Sequence, residues 1–311
     1  MGEPERLARP PLPEGQGQEA VFDLNLSQEG SRMQAIKAVY MMTDLEGVAG
    51  IDDWDPRHRE DGAQARGVAD RAEMQRLLTG EVCAACEGLF AAGVEEVLVN
   101  DGHGAGRTIL PEGLTAGARL VRGTDRPCWL PGLSPRFGAL VQVGMHAMAG
   151  TPNACLCHSM SLGKVYRING REMGEMEMAA LLAGQLGVPW VFTAGDLYAC
   201  LESERFVPGI VTAPVKEGLG LNCAIHRTPA EARTLIRQRI QEAVAKAGQL
   251  APLVLEPGPA VIEIQHVQPW PAELRHHAER VDAFTIRYTG ASFWQAFHQA
   301  TYGKPDLPLP E

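Results

Sequence analysis

From residue 35 onward the sequence alternates short β-rich apolar runs with longer helical patterns, and the runs end in clusters of glycine, asparagine, aspartate and histidine. That rhythm is the signature of helices layered on a mostly parallel sheet, because each helical crossover returns the chain to the sheet in the same direction. Residues 35–43 (AIKAVYMMT) form a candidate buried strand ending at Asp44-Leu45-Glu46-Gly47. Residues 94–99 form a second, preceded by a helical run over 71–92 that Gly93 stops and followed by Asn100-Asp101-Gly102-His103-Gly104, whose composition demands a turn. Residues 139–143 lead into Gly144-Met145-His146. Residues 164–168 are turned by Asn169-Gly170 into a helix over about 173–186, and residues 190–194 end at Gly195-Asp196.

The later part is plainer. Thr228-Pro229-Ala230-Glu231 is a capping box with proline at the first helical position, and it opens a helix to about residue 247. Strands near 260–266 and 283–288 flank a short helix, and 292–301 reads as the last helix. The expected fold is a layered α/β/α architecture with a mostly parallel central sheet. Residues 35–251 are expected to form the metal-binding catalytic domain, and residues 252–311 a smaller C-terminal α/β lobe or sheet extension. Residues 1–34, rich in proline, glycine and charge and lacking the apolar stretch of a secretion signal, read as a flexible N-terminal arm.

Charge narrows the partners. Lys+Arg 28 against Asp+Glu 38 gives a net −10, which repels nucleic acid and anionic lipid rather than gathering them. No apolar run approaches the ~20 residues needed to cross a bilayer. Seven cysteines, an odd number with no secretory signal, read as reduced thiols of a cytoplasmic protein. Cys83 and Cys86 make a C-x-x-C inside the helical run, with no second pair at zinc-ribbon spacing, so they read as helix packing.

The chemistry-bearing residues gather at the strand ends. Asp44 and Glu46 stand two apart at the close of an extended run, so a period of two projects both carboxylates to one side. His103 follows the second run, His146 follows the third, and Glu175 opens the helix after the fourth. Each has an ordinary reading when taken alone: a turn or cap for the acids, a packing histidine, a partner of the helix dipole for Glu175. Their joint placement is what points to a site, since loops at the carboxyl ends of parallel strands converge on one crevice.

Imidazole nitrogen and carboxylate oxygen suit Zn²⁺, Mn²⁺ or Co²⁺, and no thiolate cluster offers a closed structural zinc site. Five donors exceed the three protein ligands of a solitary catalytic zinc. The reading is therefore a pair of ions sharing a carboxylate, about 3.5–4 Å apart, able to activate water and polarise a carbonyl. His158, in the small-residue loop Cys155-Leu156-Cys157-His158-Ser159-Met160, is the candidate proton-transfer group, a packing histidine being the ordinary alternative. The remaining histidines read as structural. Gly102-His103-Gly104-Ala105-Gly106-Arg107 lacks the last glycine of a dinucleotide loop, Gly163-Lys164 lacks Walker spacing, and neither H-E-x-x-H nor G-x-S-x-G occurs.

Five motifs in order, Thr43-Asp44-Leu45-Glu46-Gly47, Val99-Asn100-Asp101-Gly102-His103, Gly144-Met145-His146-Ala147, His158-Ser159-Met160 and Ile168-Asn169-Gly170 leading to Gly174-Glu175, resemble those of the dinuclear zinc D-aminopeptidases, the type encoded with a bacterial dipeptide-transport operon. The resemblance spans roughly residues 35–300, and Val215-Lys216 also resembles a family segment. It implies two zinc ions bridged by Asp44, with Glu46 and His146 completing one site and His103 and Glu175 the other. It further implies that His158 is the catalytic histidine and that the chain assembles as a homodecamer of two stacked pentameric rings acting on short peptides. The leading expectation is a cytoplasmic metallo-aminopeptidase removing an N-terminal residue, with a D-amino acid among the candidates. Two alternatives stay open at this stage: a dinuclear amidohydrolase or phosphoesterase acting on a non-peptide substrate, and a metal-stabilised peptide-binding protein without catalysis.

Overall fold

The structure is a computed structural model that describes residues 36–60 and 62–311; the arm expected over 1–34 lies outside the described residues. In chain order the first elements are β1 Ala38–Thr43, α1 Ala65–Ala91, β2 Glu96–Asp101, β3 Ala118–Val121, β4 Ala139–Met145, β5 Lys164–Ile168, β6 Arg171–Glu172 and α2 Glu175–Gly184. They are followed by β7 Trp190–Asp196, α3 Leu197–Phe206, β8 Val211–Gly220, β9 Cys223–His226, α4 Pro229–Lys246, β10 Ala260–His266, β11 Glu279–Arg280, β12 Thr285–Gly290 and α5 Phe293–Tyr302. The central sheet has the order β3-β2-β1-β4-β7-β8-β9 and is parallel except where β9 turns back on β8. A second, antiparallel sheet has the order β11-β12-β10-β5-β6. The mixed α/β class with a mostly parallel centre is thus the one the sequence predicts.

Burial follows the periodicity of two. Every residue of β1 is buried, and its side chains divide by alternation between two cores. Val39 and Met41 join Leu78, Val82, Ile236 and Ile240 beneath α1 and α4, whereas Tyr40 and Met42 join the core containing α2, Ile262, Phe293 and Phe297. Helix α2 has the central sheet on one side and α5 on another, and only its first residue keeps appreciable exposure, which is why its apolar residues show no preferred face. The capping box at Thr228 is present: its side chain accepts from the Glu231 N–H, and the Glu231 carboxylate accepts from the Thr228 N–H.

Several features refine the sequence reading or depart from it. The fourth run, β5, belongs to the second sheet and not to the parallel one, so Glu175 reaches the crevice through the β5–β6 hairpin. The C-terminal segment from residue 252 shares that sheet, pairing β10 with β5. The β8–β9 hairpin has no counterpart in the reading, because Pro214, Gly218 and Gly220 interrupt the alternation that would mark a strand. Cys83 and Cys86 do lie on α1, where Cys86 is buried and the Cys83 thiol donates to the Gly113 carbonyl at 2.8 Å; all seven cysteines are free.

Candidate metal centre

The strand order reverses between β1 and β4, the place in an open α/β sheet where loops part and leave a crevice at the carboxyl ends. Asp44 and Glu46 leave β1 here, His103 leaves β2, and His146 leaves β4. Close backbone approach makes this possible. The Asp44 N–H donates to Val143 O at 2.9 Å and the Gly47 N–H to Gly144 O at 2.8 Å. A Cβ on Gly144, whose φ is +79°, would lie 2.1 Å from the Asp44 carbonyl oxygen, so only glycine fits this crossing.

The two oxygens of Asp44 face different imidazoles. Oδ1 lies 3.0 Å from His103 Nδ1, and Oδ2 lies 3.2 Å from His146 Nε2. Glu46 Oε2 stands 2.9 Å from the same His103 nitrogen, while Glu175 Oε1 stands 3.5 Å from His146 Nε2. All five sequence-predicted donors therefore meet in one pocket. Their closest contacts set Glu46 beside His103 and Glu175 beside His146. Asp44, Glu46 and His146 also offer donor atoms within 4.8 Å of one another, as do His146, His158 and Glu175.

The tautomers follow from the other ring nitrogens. His146 Nδ1 lies 2.9 Å from Ala147 O, and a carbonyl only accepts, so Nδ1 carries a proton and Nε2 is the atom that faces the pocket, free to act as a ligand once the ring is neutral. His158 Nδ1 likewise lies 2.9 Å from Leu156 O, leaving its Nε2 toward Glu175 Oε1 at 3.6 Å. Its ring stacks on His146 with centroids 4.1 Å apart. His103 Nε2 lies 3.3 Å from Asp55 Oδ2, a carboxylate able to hold that ring with Nδ1 directed inward.

Burial and charge bear on occupancy. Asp44, Glu46, His103 and His146 are buried, whereas Glu175 and His158 are partly exposed and mark the side on which the pocket opens. Burial opposes charge on every group. The carboxylates of Glu46, Asp44 and Asp55 nonetheless outweigh it and hold His103 well above the ordinary imidazole range, and Asp44 and Glu175 do the same for His146. Asp44 and Glu175 are in turn held low against their own burial by those imidazoles. Protons on the histidines thus supply positive charge that a cation would otherwise bring. The donor set is nitrogen and oxygen throughout, and three of its members, Asp44, Glu46 and His146, offer atoms within 4.8 Å of one another; the residues fit divalent metal.

Two further groups serve this site and were not singled out for it in the sequence. Asp55 caps a 3-10 turn and pairs with Arg57 at 2.7 Å; despite burial, His103 and Arg57 keep its carboxyl well below the usual range. Asp55-Pro56 was legible only as a turn. Lys216, buried on β8, donates from Nζ to the Glu46 carbonyl and, at 2.6 Å, to Ile51 O, closing the segment that carries Asp44 and Glu46. Of the histidines read as structural, His58 lies with its ring 6.2 Å from that of His103, and His226 Nδ1 accepts from the Gly50 N–H at 2.9 Å.

Comparison with known proteins places this geometry. A family described as D-aminopeptidase matches residues 38–301. A D-aminopeptidase of Bacillus subtilis (strain 168) is 31% identical over 217 residues, covering 69% of this chain and 76% of that protein. Among solved structures, the Zn-dependent D-aminopeptidase DppA from Bacillus subtilis, described as a self-compartmentalizing protease, superposes with a TM-score of 0.75 at 26% identity, covering 86% of this chain and 96% of that one. The chain belongs to the D-aminopeptidase family and is a metal-dependent aminopeptidase.

Proposed function

We propose that the protein removes the N-terminal residue, a D-amino acid foremost, from short peptides, with two zinc ions held by Asp44, Glu46, His103, His146 and Glu175. The observation that carries the proposal is the division of Asp44, whose two oxygens face separate imidazoles at 3.0 and 3.2 Å. Asp44 would bridge, with Glu46 and His146 completing one site and His103 and Glu175 the other; the donor atoms of Asp44, Glu46 and His146 lie within 4.8 Å of one another, which supports the first of these groupings. Zinc bound there supplies Lewis acidity, polarising the scissile carbonyl and lowering the pKa of water. Mn²⁺ or Co²⁺ would satisfy the same donors.

The chain's own groups divide the remaining work. His158 sits at the open side with Nδ1 engaged by Leu156 O, so its Nε2 is the atom that holds or moves a proton near the leaving amine. Glu175 Oε1 accepts from the Met160 N–H at 2.7 Å, which fixes one ligand oxygen against the loop that carries His158. Trp54, with its ring 5.5 Å from that of His158, covers the imidazole from another side and limits water there.

The same reading extends to assembly and place. A homodecamer of two stacked pentameric rings, admitting only short peptides, accords with the description of the Bacillus protein as self-compartmentalizing. Seven free cysteines accord with a reducing cytoplasm, and among the described residues no helix is long and apolar enough to cross a membrane. The experiment is metal quantification per chain together with hydrolysis of D- and L-aminoacyl anilides and an aryl phosphate. About two zinc ions per chain and cleavage of a D-aminoacyl anilide are expected. A metal-free active protein, or turnover of the phosphate alone, refutes the proposal.

A further inference from the structure

Beside the metal centre lies a cavity of about 280 Å³ between the second sheet and α5, lined among others by Met160, Lys164, Tyr166, Ile264 and Phe297. Two residues join it to the site. Met160 lines the cavity with its side chain while its N–H donates to Glu175 Oε1. Its backbone is held at φ +60°, an uncommon conformation for a residue with a long side chain and one that needs surrounding structure to maintain it. Tyr166, partly buried and with its phenol pushed up chiefly by desolvation, also feels the charge of Glu175.

Lys164 is the one charged side chain among the cavity-lining residues. It is half-buried, and that burial lowers its pKa. Among the described residues no carboxylate pairs with it; a Trp270 ring stands 5.6 Å from Nζ. In a chain of net charge −10, a partly desolvated cation left without an acid needs an anion from elsewhere. The cavity volume falls at the lower edge of the roughly 300–1,000 Å³ of small-molecule pockets, room for a small peptide end and not for a protein chain. A peptide advances about 3.5 Å per residue. Met160 touches both places, so a short peptide seated at the metal centre has this cavity, on the Glu175 side, as a place for its other end.

We infer that this cavity receives the C-terminal end of the substrate and that the Lys164 ammonium binds its free carboxylate, so that the preferred substrates are di- and tripeptides with an unblocked C-terminus. The inference rests on the aminopeptidase reading for where the other end of the substrate lies. It makes Lys164 a specificity-determining residue: a charge-assisted hydrogen bond in a partly desolvated setting discriminates carboxylate from carboxamide by roughly ten- to a hundredfold.

The test compares D-alanyl-D-alanine with its C-terminal amide on the zinc-loaded full chain. It also measures calorimetric binding of a non-hydrolysable isostere, CH₂–NH replacing the scissile amide, in acid and amide forms. The expected result is a kcat/KM ratio favouring the acid by at least about tenfold, carried by KM, with the same preference in isostere binding. Lys164→Met should bring both ratios to about one, and Lys164→Arg should retain most of the preference. A wild-type ratio near one overturns the inference, as does a preference that survives Lys164→Met. If that variant does not fold, the wild-type ratios decide alone. If no peptide is cleaved but the isostere acid still binds in preference to its amide through Lys164, the catalytic reading fails while the carboxylate site stands.

Discussion

Replacing Glu81 with glutamine should change the pH dependence of stability by an amount the structure specifies. Glu81 lies on α1, fully buried; its Oε1 accepts from the Ala49 N–H at 2.9 Å, in the segment just after Glu46, while its Oε2 has no hydrogen-bond partner. Burial pushes its carboxyl from 4.5 up to about 7, only partly offset by that backbone N–H, Lys216 and Arg233. Between these two values the unfolded chain has lost the proton and the folded chain retains it, so stability falls as pH rises through the window. Below 4.5 the effect is absent, and above 7 it is complete. A shift of this size amounts to about 3 kcal/mol in full, most of which develops between roughly pH 5 and pH 8.

Glutamine keeps an oxygen for the Ala49 N–H and never ionises. Urea unfolding of both proteins in the presence of a chelator, which removes metal release from the comparison, should show the stability of Glu81→Gln minus wild type rising by roughly 2 to 3 kcal/mol over that range. Taking the difference cancels every other titrating group. A difference that stays flat within about 0.5 kcal/mol would refute the reasoning, since it would mean that Glu81 is solvated or permanently paired.

Asp44→Asn should remove the shared anion, leaving fewer than one zinc per chain and lowering kcat/KM by at least about a thousandfold, about 4 kcal/mol, as read by metal analysis beside an aminoacyl-anilide assay. His158→Ala should leave the zinc content unchanged and lower kcat by about a hundred- to ten-thousandfold; loss of metal in this variant would make His158 a ligand instead. Glu202 accepts from the Met148 N–H at 2.9 Å, and its neighbour Glu177 from the Gly174 N–H at 2.7 Å, so the two hold the backbone next to His146 and Glu175. Glu202→Ala should leave the Met148 N–H buried without an acceptor, costing about 1–3 kcal/mol and several degrees in Tm, whereas Glu202→Gln should recover most of it; equal melting of the two would count against this role.

What the sequence disclosed of this molecule divides along the range of the forces involved. Runs with local periodicity and local caps were legible: β1, β4, β5 and β10 fall where alternation places them, and α4 begins at its capping box. The departures are matters of partnership between distant segments. Nothing local to Lys164–Ile168 distinguishes a strand of the parallel sheet from one paired antiparallel with residues about a hundred positions later. In the same way nothing local to Asp55 announces that folding sets it against His103, and Val215-Lys216 stands out only as resembling a family segment, with no local sign that β8 carries the lysine under the Glu46 carbonyl.

The candidate ligands were legible for a different reason: their type is costly to bury. A pocket containing Asp44, Glu46, Glu175 and Asp55 carries four potential negative charges, and folding would oppose that unless positive charge came with it. Arg57 and Arg71 lie against Asp55 and not against the other three, so the imbalance is concentrated where Asp44 is divided between the two histidines. Protonated His103 and His146 can relieve it by two charges, and two divalent ions by four, with the imidazoles then neutral as ligands. Zinc binding should accordingly release protons from those rings. Calorimetric titration of the metal-free protein in buffers of differing ionisation enthalpy would count them: about two protons per chain near neutral pH fits this balance. Release of none would mean that the imidazoles are already neutral and that the carboxylates are countered by something else.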